Sequence, residues 1–368
     1  MDPIPALLAK LNHTMFKKPV DIFPAEILPA AAVVDIATNS KQTMRVLRVS
    51  HLHGRQVYLG MPGLGPGTIF GEILMGIALL THPNHPNYCF YDSRKMYEVA
   101  IKRSEIAKLN SKLHGNSNEE NPLNEIAIME LMQTMVQEEA AQSKDNAFST
   151  IFPHNMSLEL AATDGESLFT VLPRMKNCMD LFAYCFENAQ IKSARAHLPV
   201  SAKLQETKMI IRAVLRGVAA LHERGIAHRD LSLENALISV KCFGNNGDVT
   251  DAQTLHIDDI KIIDYGMAVY HPLGSSASSS FSDHSYDEYA SLDAEPAFSM
   301  DEDGDICCED GATSVDEYSA MPALLPPQTF STPFYGKRAY IPPECFYDRN
   351  NTHIDPRTSD IWACGIML

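Results

Sequence analysis

Apolar and polar positions along the chain predict strands first and helices later. From Arg55, "RQVYLGMPGLGPGTIFGEILMGI" reads as a strand, a glycine-rich turn and a second strand. "KMYEVAIKRS" at 95–104 predicts another strand, and "ESLFTVLPRM" at 166–175 one that stops at a proline. Between them lies "NPLNEIAIMELMQTMVQEEAA". There Asn121 stands as an N-cap and Pro122 takes the first helical position, where its missing N–H is no loss. Met129, Met132 and Val136 then recur at helical spacing. "AKLQETKMIIRAVLRGVAALHERGIAHRD" predicts a long amphipathic helix ending at Gly225, and "LHIDDIKIIDYG" a short strand entering a turn. "AEILPAAAVVDIA" fits a short helix or a strand equally, and residues 1–54 carry no motif.

Strands before helices suggest a small sheet-rich lobe followed by a helical one. The expected division is an N-terminal extension over 1–54, a sheet lobe with insertions over 55–175, and a helical lobe over 176–368. Charge sharpens this picture. The net charge of −16 is concentrated between His271 and Gly336, which hold thirteen Asp or Glu and no Lys or Arg. Residues 271–330, rich in Ser, Asp, Glu and Pro, cannot bury enough apolar surface to offset their ordering entropy, so they read as disordered. "DEDGD" at 301–305 is a solvated acidic tract, because its glycine is misplaced for a calcium loop and no Glu closes a twelve-residue frame.

No run of eighteen apolar residues predicts a membrane span. "MDPIPALLAKLNHTMFKKP" lacks the charged-then-apolar order of a signal peptide. Eight cysteines without CxxC spacing argue against a zinc or disulfide scaffold and fit a reducing compartment. A cytoplasmic or nuclear location is expected, with no membrane partner. Without a basic footprint, no nucleic-acid partner is expected either.

The chemistry lies in an ordered series of short motifs. A Gly-rich turn at Gly65, Gly67 and Gly71 precedes "VAIK" at 99–102 and a helix bearing Glu125. "HRDLSLEN" at 228–235, "DYG" at 264–266, "PPE" at 342–344 and "DIWACG" at 360–365 follow. Each is weak alone, but their order and spacing resemble the eukaryotic protein kinase family over about 57–368. The resemblance implies an α+β, two-lobed kinase-like fold: a small antiparallel-sheet N-lobe with one helix, and a helical C-lobe. It implies ATP and magnesium as cofactors and a protein as substrate. Lys102 would hold phosphates and be held by Glu125, with Glu130 as the alternative partner. Asp230 would orient the substrate hydroxyl and accept its proton. Asn235 and Asp264 would hold magnesium. Gly65, Gly67, Gly71, Ile73, Ala100, Pro173, Met175, Asp180 and Leu237 would line the nucleotide site, with Leu172 as gatekeeper, Arg174 in the hinge and Asp180 near the ribose.

Departures from the pattern matter as much. The Gly-rich loop has one extra residue before Gly71, and Ile73 replaces the usual Val. "GIALLTHPNHPNYCFYDSRK" is an insertion expected to extend the hairpin as a loop. "VKCFGNNGDVTDAQTLHID" reads as a hairpin excursion, and the acidic tract lengthens the segment between Asp264 and Glu344. The helices that surround "DIWACGIML" in the family, and the Arg that would pair with Glu344, do not follow Leu368, so the helical lobe is expected to be incomplete. Arg229 implies control by a phosphorylated loop residue, with an upstream kinase acting at Ser331 or Thr332.

Ser232 stands where serine/threonine kinases carry Lys, and Lys337 where they carry Thr. This reads as a charge exchange, making Lys337 a further candidate catalytic residue. Glu234 before Asn235 favours serine/threonine over tyrosine specificity. The expectation is a serine/threonine-type protein kinase. The alternative is an inactive, truncated pseudokinase serving as a nucleotide-binding or interaction module.

Overall fold

The computed structural model describes residues 21–50, 56–67, 71–82, 85–113, 121–140, 148–243, 254–271, 336–347 and 355–368. Eight strands form one sheet: β1 (Ile22–Asp35), β2 (Ser40–Ser50), β3 (Gln56–Gly67), β4 (Gly71–His82), β5 (His85–Tyr91), β6 (Glu98–Glu105), β7 (Leu160–Thr163) and β8 (Ser167–Pro173). Helices α1 (Ile106–Leu113), α2 (Pro122–Ala140) and α3 (Phe148–Ile151) lie between β6 and β7. Asn121 caps α2 as its sequence predicts, its side-chain oxygen accepting the Leu123 N–H at 3.0 Å.

The sheet curls back on itself. β3, β4, β6, β8 and β7 are antiparallel neighbours in that order. β2 pairs with the outer side of β3, and β1 pairs with β2. The first residues of β1, Ile22–Pro24, then run parallel to Ala161–Thr163 of β7. That pairing closes a ring, so both outer strands of the expected small sheet find backbone partners, as buried N–H and C=O groups require. β5 forms a second bridge, antiparallel to β4 and parallel to the end of β1 at Val33–Asp35.

Three expectations change accordingly. The sheet is larger than a small antiparallel one and includes two parallel pairings. Residues 22–50, expected as part of an N-terminal extension, form strands β1 and β2 of this sheet. Within the insertion at 76–95, residues 76–82 and 85–91 are strand, not loop: they complete β4 and supply β5. Alternation along these strands fills two cores. Leu47, Val49, Leu59 and Leu74 pack with Val99, Ile101, Phe169 and Val171. Val46, Tyr58, Ile77 and Leu79 point to the opposite face and pack with Val33 and Cys89.

The second lobe follows Pro173. It contains β9 (Cys178–Asp180), α4 (Ala189–Ala196), α5 (Val200–His222), β10 (Ile226–Ala227), β11 (Ala236–Phe243), β12 (Thr254–Ile262), β13 (Val269–Tyr270), α6 (Glu344–Tyr347) and α7 (Pro356–Met367). α5 buries Ala213, Val214, Gly217, Val218 and Leu221. The chain leaves it through Gly225 at φ +75°, where a Cβ would lie 2.0 Å from the His271 carbonyl oxygen. β11 and β12 form the expected hairpin, with β12 nine residues long. Of the tract expected to be disordered, residues 272–330 lie outside the described residues. Among the described residues, no helix is long and apolar enough to cross a membrane.

Candidate active site

Register places the first group of candidates. In the β4–β6–β8 wall, Ile73 lies opposite Lys102 and Met75 opposite Ala100. On the other side, Thr170 faces Lys102 and Leu172 faces Ala100. The period of two puts Ala100 and Lys102 on one face, with Lys102 a step further along. Gly71 opens β4 opposite Ser104, and a Cβ there would come within 2.0 Å of the Arg103 carbonyl oxygen, so only glycine fits. Gly65 and Gly67 fall at the end of β3, and residues 68–70 of this turn lie outside the described residues.

Lys102 reaches from the sheet to α2. Its Nζ lies 2.9 Å from Glu125 Oε2 and 3.8 Å from Asp264 Oδ1. Glu130, the alternative partner, is used elsewhere: both its carboxylate oxygens lie 3.0 Å from the Asp21 N–H at the entry to β1. Burial pushes the Glu130 carboxyl up to about 7, although the Asp21 N–H favours its charged form.

The second group hangs on β10, β11 and α7. Asp360, on α7 and almost wholly buried, gathers the segment around His228 and Arg229. Its Oδ2 accepts the His228 N–H and faces His222 Nε2, both at 2.8 Å, and its Oδ1 accepts the Arg229 N–H at 2.7 Å. Arg229 adopts φ +68°, a costly conformation for a non-glycine residue that these bonds sustain. Asn235 Nδ2 donates to the Asp230 carbonyl at 2.7 Å and to Asp230 Oδ2 at 2.9 Å. Burial pushes the Asp230 carboxyl up, while His228, Lys337 and the Asn235 amide pull it down; the rise prevails.

Asp264 sits on the neighbouring strand exit. Ala236 pairs with Ile262, and the Ile263 N–H donates to the Asn235 carbonyl at 3.0 Å. This bond sets Ile263, the residue before Asp264, against Asn235. Asp264 also has φ +68°. Leu237 pairs with Asp180, whose Oδ1 accepts the Ala183 N–H at 2.7 Å. Pro173 lies opposite Val99, and Met175 and Leu172 pack on the main core. Arg174 is held by Glu98 Oε1 at 2.9 Å.

Lys337 reaches the same loop from residues 336–340. Its N–H donates to Asp230 Oδ1 at 3.2 Å, and its Nζ donates to Ser232 Oγ at 2.7 Å. Ser331 and Thr332 lie outside the described residues.

A family model described as protein kinase domain matches residues 88–288. The chain belongs to the protein kinase family. No curated protein matches it in sequence.

The kinase site holds residues that pattern reading passed over. Asn124, next to Glu125, donates its amide to the carbonyls of Tyr265, Gly266 and Ala268 at 3.2, 3.1 and 2.8 Å. α2 is thus tied to the segment that carries Asp264. Tyr265 is fully buried against the His228 ring, and its hydroxyl meets Asn155 Oδ1 at 3.0 Å and the Met156 N–H at 3.2 Å. The only signal for these roles is a polar residue inside an otherwise apolar element, which does not name its partner.

The donor set fits magnesium–nucleotide. Among the described residues no cluster of three or more His, Cys, Asp or Glu converges on a point. Magnesium needs no such cage, since it binds through one or two carboxylates plus substrate phosphates. Asp264 and the Asn235 amide oxygen are hard oxygen donors of that kind, and Lys102 offers a cation beside them.

Proposed function

We propose that this kinase is catalytically active, uses ATP with magnesium, and phosphorylates serine or threonine hydroxyls of a protein substrate. The observation that carries this reading is the Lys102–Glu125 pair standing within 3.8 Å of Asp264, with Asp230 and Asn235 bonded to one another. Phosphoryl transfer is mostly a matter of positioning and charge stabilisation, so an assembled set of this kind is what the reaction requires. ATP would supply the transferable phosphoryl group, and magnesium would offset its charge.

The chain's own residues divide the remaining work. Lys102, fixed by Glu125, would hold phosphate oxygens. Asp264 and Asn235 would hold the metal. Asp230 would orient the attacking hydroxyl and take its proton on a carboxylate oxygen. Each of its oxygens accepts one bond from Asn235 or Lys337 and keeps a second lone pair for that purpose. Ala100, Leu172, Met175 and Leu237 would give the base an apolar slot. Glu234 before Asn235 supports serine/threonine specificity.

The test is transfer of labelled phosphate from ATP–magnesium to mixed serine, threonine and tyrosine peptides. Phosphate on serine and threonine is expected, with Asp230→Asn lowering turnover by a factor of about 10² to 10⁴. Nucleotide binding without any transfer, in wild type and variant alike, would replace this reading with that of a binding module.

A further inference from the structure

Residues 336–340 cross directly over the catalytic loop. Gly336, at φ +88°, passes so close that a Cβ would lie 2.8 Å from the Arg229 carbonyl oxygen and 3.1 Å from Asp230 Oδ1. At the far end of this segment, the Tyr340 hydroxyl accepts the Leu233 N–H at 3.4 Å. Lys337 lies between these two contacts. Its backbone N–H donates to Asp230 Oδ1 at 3.2 Å, its Nζ to Ser232 Oγ at 2.7 Å, and the same Nζ lies 3.2 Å from Glu234 Oε2. One residue therefore touches three members of the loop.

Charge makes the placement informative. Asp230, Glu234 and Asp264 bring three carboxylates to this region, and a triphosphate would add more negative charge. Lys102 already faces Glu125 and Asp264. Ser232 is fully buried, so its hydroxyl needs a partner from protein, and the Lys337 ammonium is the donor it has. The Lys337 side chain is 39% exposed, and its contacts with Ser232 and Glu234 hold the ammonium against the loop.

We propose that Lys337 is the positioning cation of the transfer site. It would latch Asp230 through its N–H and the catalytic loop through Ser232, and hold positive charge where phosphate charge gathers. This rests on the kinase reading above and adds to it the division of one task between two distant positions, a hydroxyl at 232 and an ammonium at 337. No proton or group is transferred by Lys337.

Two double-mutant cycles on the full chain test it. The first needs no nucleotide: urea denaturation of wild type, Ser232→Ala, Lys337→Met and the double variant. Non-additive stability changes are expected. The second reads kcat and KM for ATP in Ser232→Lys, Lys337→Thr and the pair. Lys337→Thr should lower kcat about 10-fold to 100-fold with a smaller change in KM, since a part-exposed cation is worth less than an enclosed donor. Adding Ser232→Lys should recover about tenfold of that loss, and Lys337→Arg should keep more activity than Lys337→Met whether or not the latter folds well. Additive stability changes overturn the latch. Unchanged kcat in Lys337→Thr overturns the role in transfer, whatever the first cycle gives. With active wild type and inactive Asp230→Asn, those failures leave the kinase reading standing; inactive wild type overturns both.

Discussion

Lys102 Nζ lies 2.9 Å from Glu125 Oε2, with 11% and 3% of the two side chains exposed. The pair joins β6 to α2 across the sheet lobe. Removing one partner of a buried pair costs up to about 3–5 kcal/mol, less where another charge stands near, as Asp264 Oδ1 does at 3.8 Å from Lys102 Nζ, whereas replacing both by apolar groups of similar volume is often neutral. Glu125→Ala should therefore destabilise the protein by an amount of that order in urea denaturation. The double variant Lys102→Met with Glu125→Leu should recover most of the loss while showing no phosphate transfer. If the double variant is no more stable than Glu125→Ala, the pair does not act as a buried unit.

Asn124 carries the next expectation. Its amide spans three carbonyls of the segment holding Asp264. Asn124→Leu leaves those carbonyls without this donor and loosens α2 from the segment, which keeps the bond from the Asn121 N–H to the Gly266 carbonyl at 3.3 Å. On the proposed reading, in which Asp264 holds magnesium, the concentration for half-maximal thermal stabilisation by ATP–magnesium should rise several-fold. Asn124→Asp should do the same, because a carboxylate offers no N–H. Unchanged magnesium dependence in both would mean the bonds are incidental.

Ring closure by β1 and β2 predicts a stability effect far from the nucleotide. Leu47, on β2, is fully buried among Val49, Leu59, Ile101 and Phe169. Leu47→Ala should cost about 2–5 kcal/mol by thermal or chemical unfolding, as for other buried leucines. Leu80, on β4 and largely exposed, is the internal comparison, and Leu80→Ala should cost much less. Equal effects would mean that β2 is not part of the core.

These strands show where the sequence is readable and where it is not. Asn121 and Pro122 announce α2 because capping is local chemistry, and Pro173 ends β8 for the same reason. The motifs around Lys102, Asp230 and Asp264 are legible because their spacing is fixed by the chemistry they resemble. β1 is not legible: "AEILPAAAVVDIA" shows no single period, since a bulge between Leu28 and Ala31 changes which face is buried, and Pro29 sits in it. β5 is hidden by Pro86 and by its parallel partner β1, far back in the chain, where Val33 pairs with Cys89. Asp360 and Asn124 are single polar residues whose meaning depends wholly on tertiary contacts. Glu130 illustrates the limit, because spacing along α2 offers it as well as Glu125, and only the fold gives one to Lys102 and the other to Asp21.

That second carboxylate makes stability depend on pH. Glu130 titrates at about 7 rather than at the ordinary 4.5, with burial as the main cause, opposed by the Asp21 N–H and reinforced by the Asp21 charge. Between those pH values the folded protein keeps a proton on Glu130 that the unfolded chain has released. The stabilisation from this group is therefore complete below about 4.5 and is lost as pH rises through about 7. For one proton the slope between the two values approaches about 1.4 kcal/mol per pH unit, and the partial exposure of the side chain narrows the window over which it applies. Glu130→Gln retains an acceptor for the Asp21 N–H but cannot ionise, so its stability should change less over this range. Urea denaturation of both proteins at a series of pH values measures the difference. Wild type should lose stability relative to Glu130→Gln as pH rises from about 4.5 to about 7. Parallel curves would mean that the β1 entry and α2 meet without a shifted carboxyl between them.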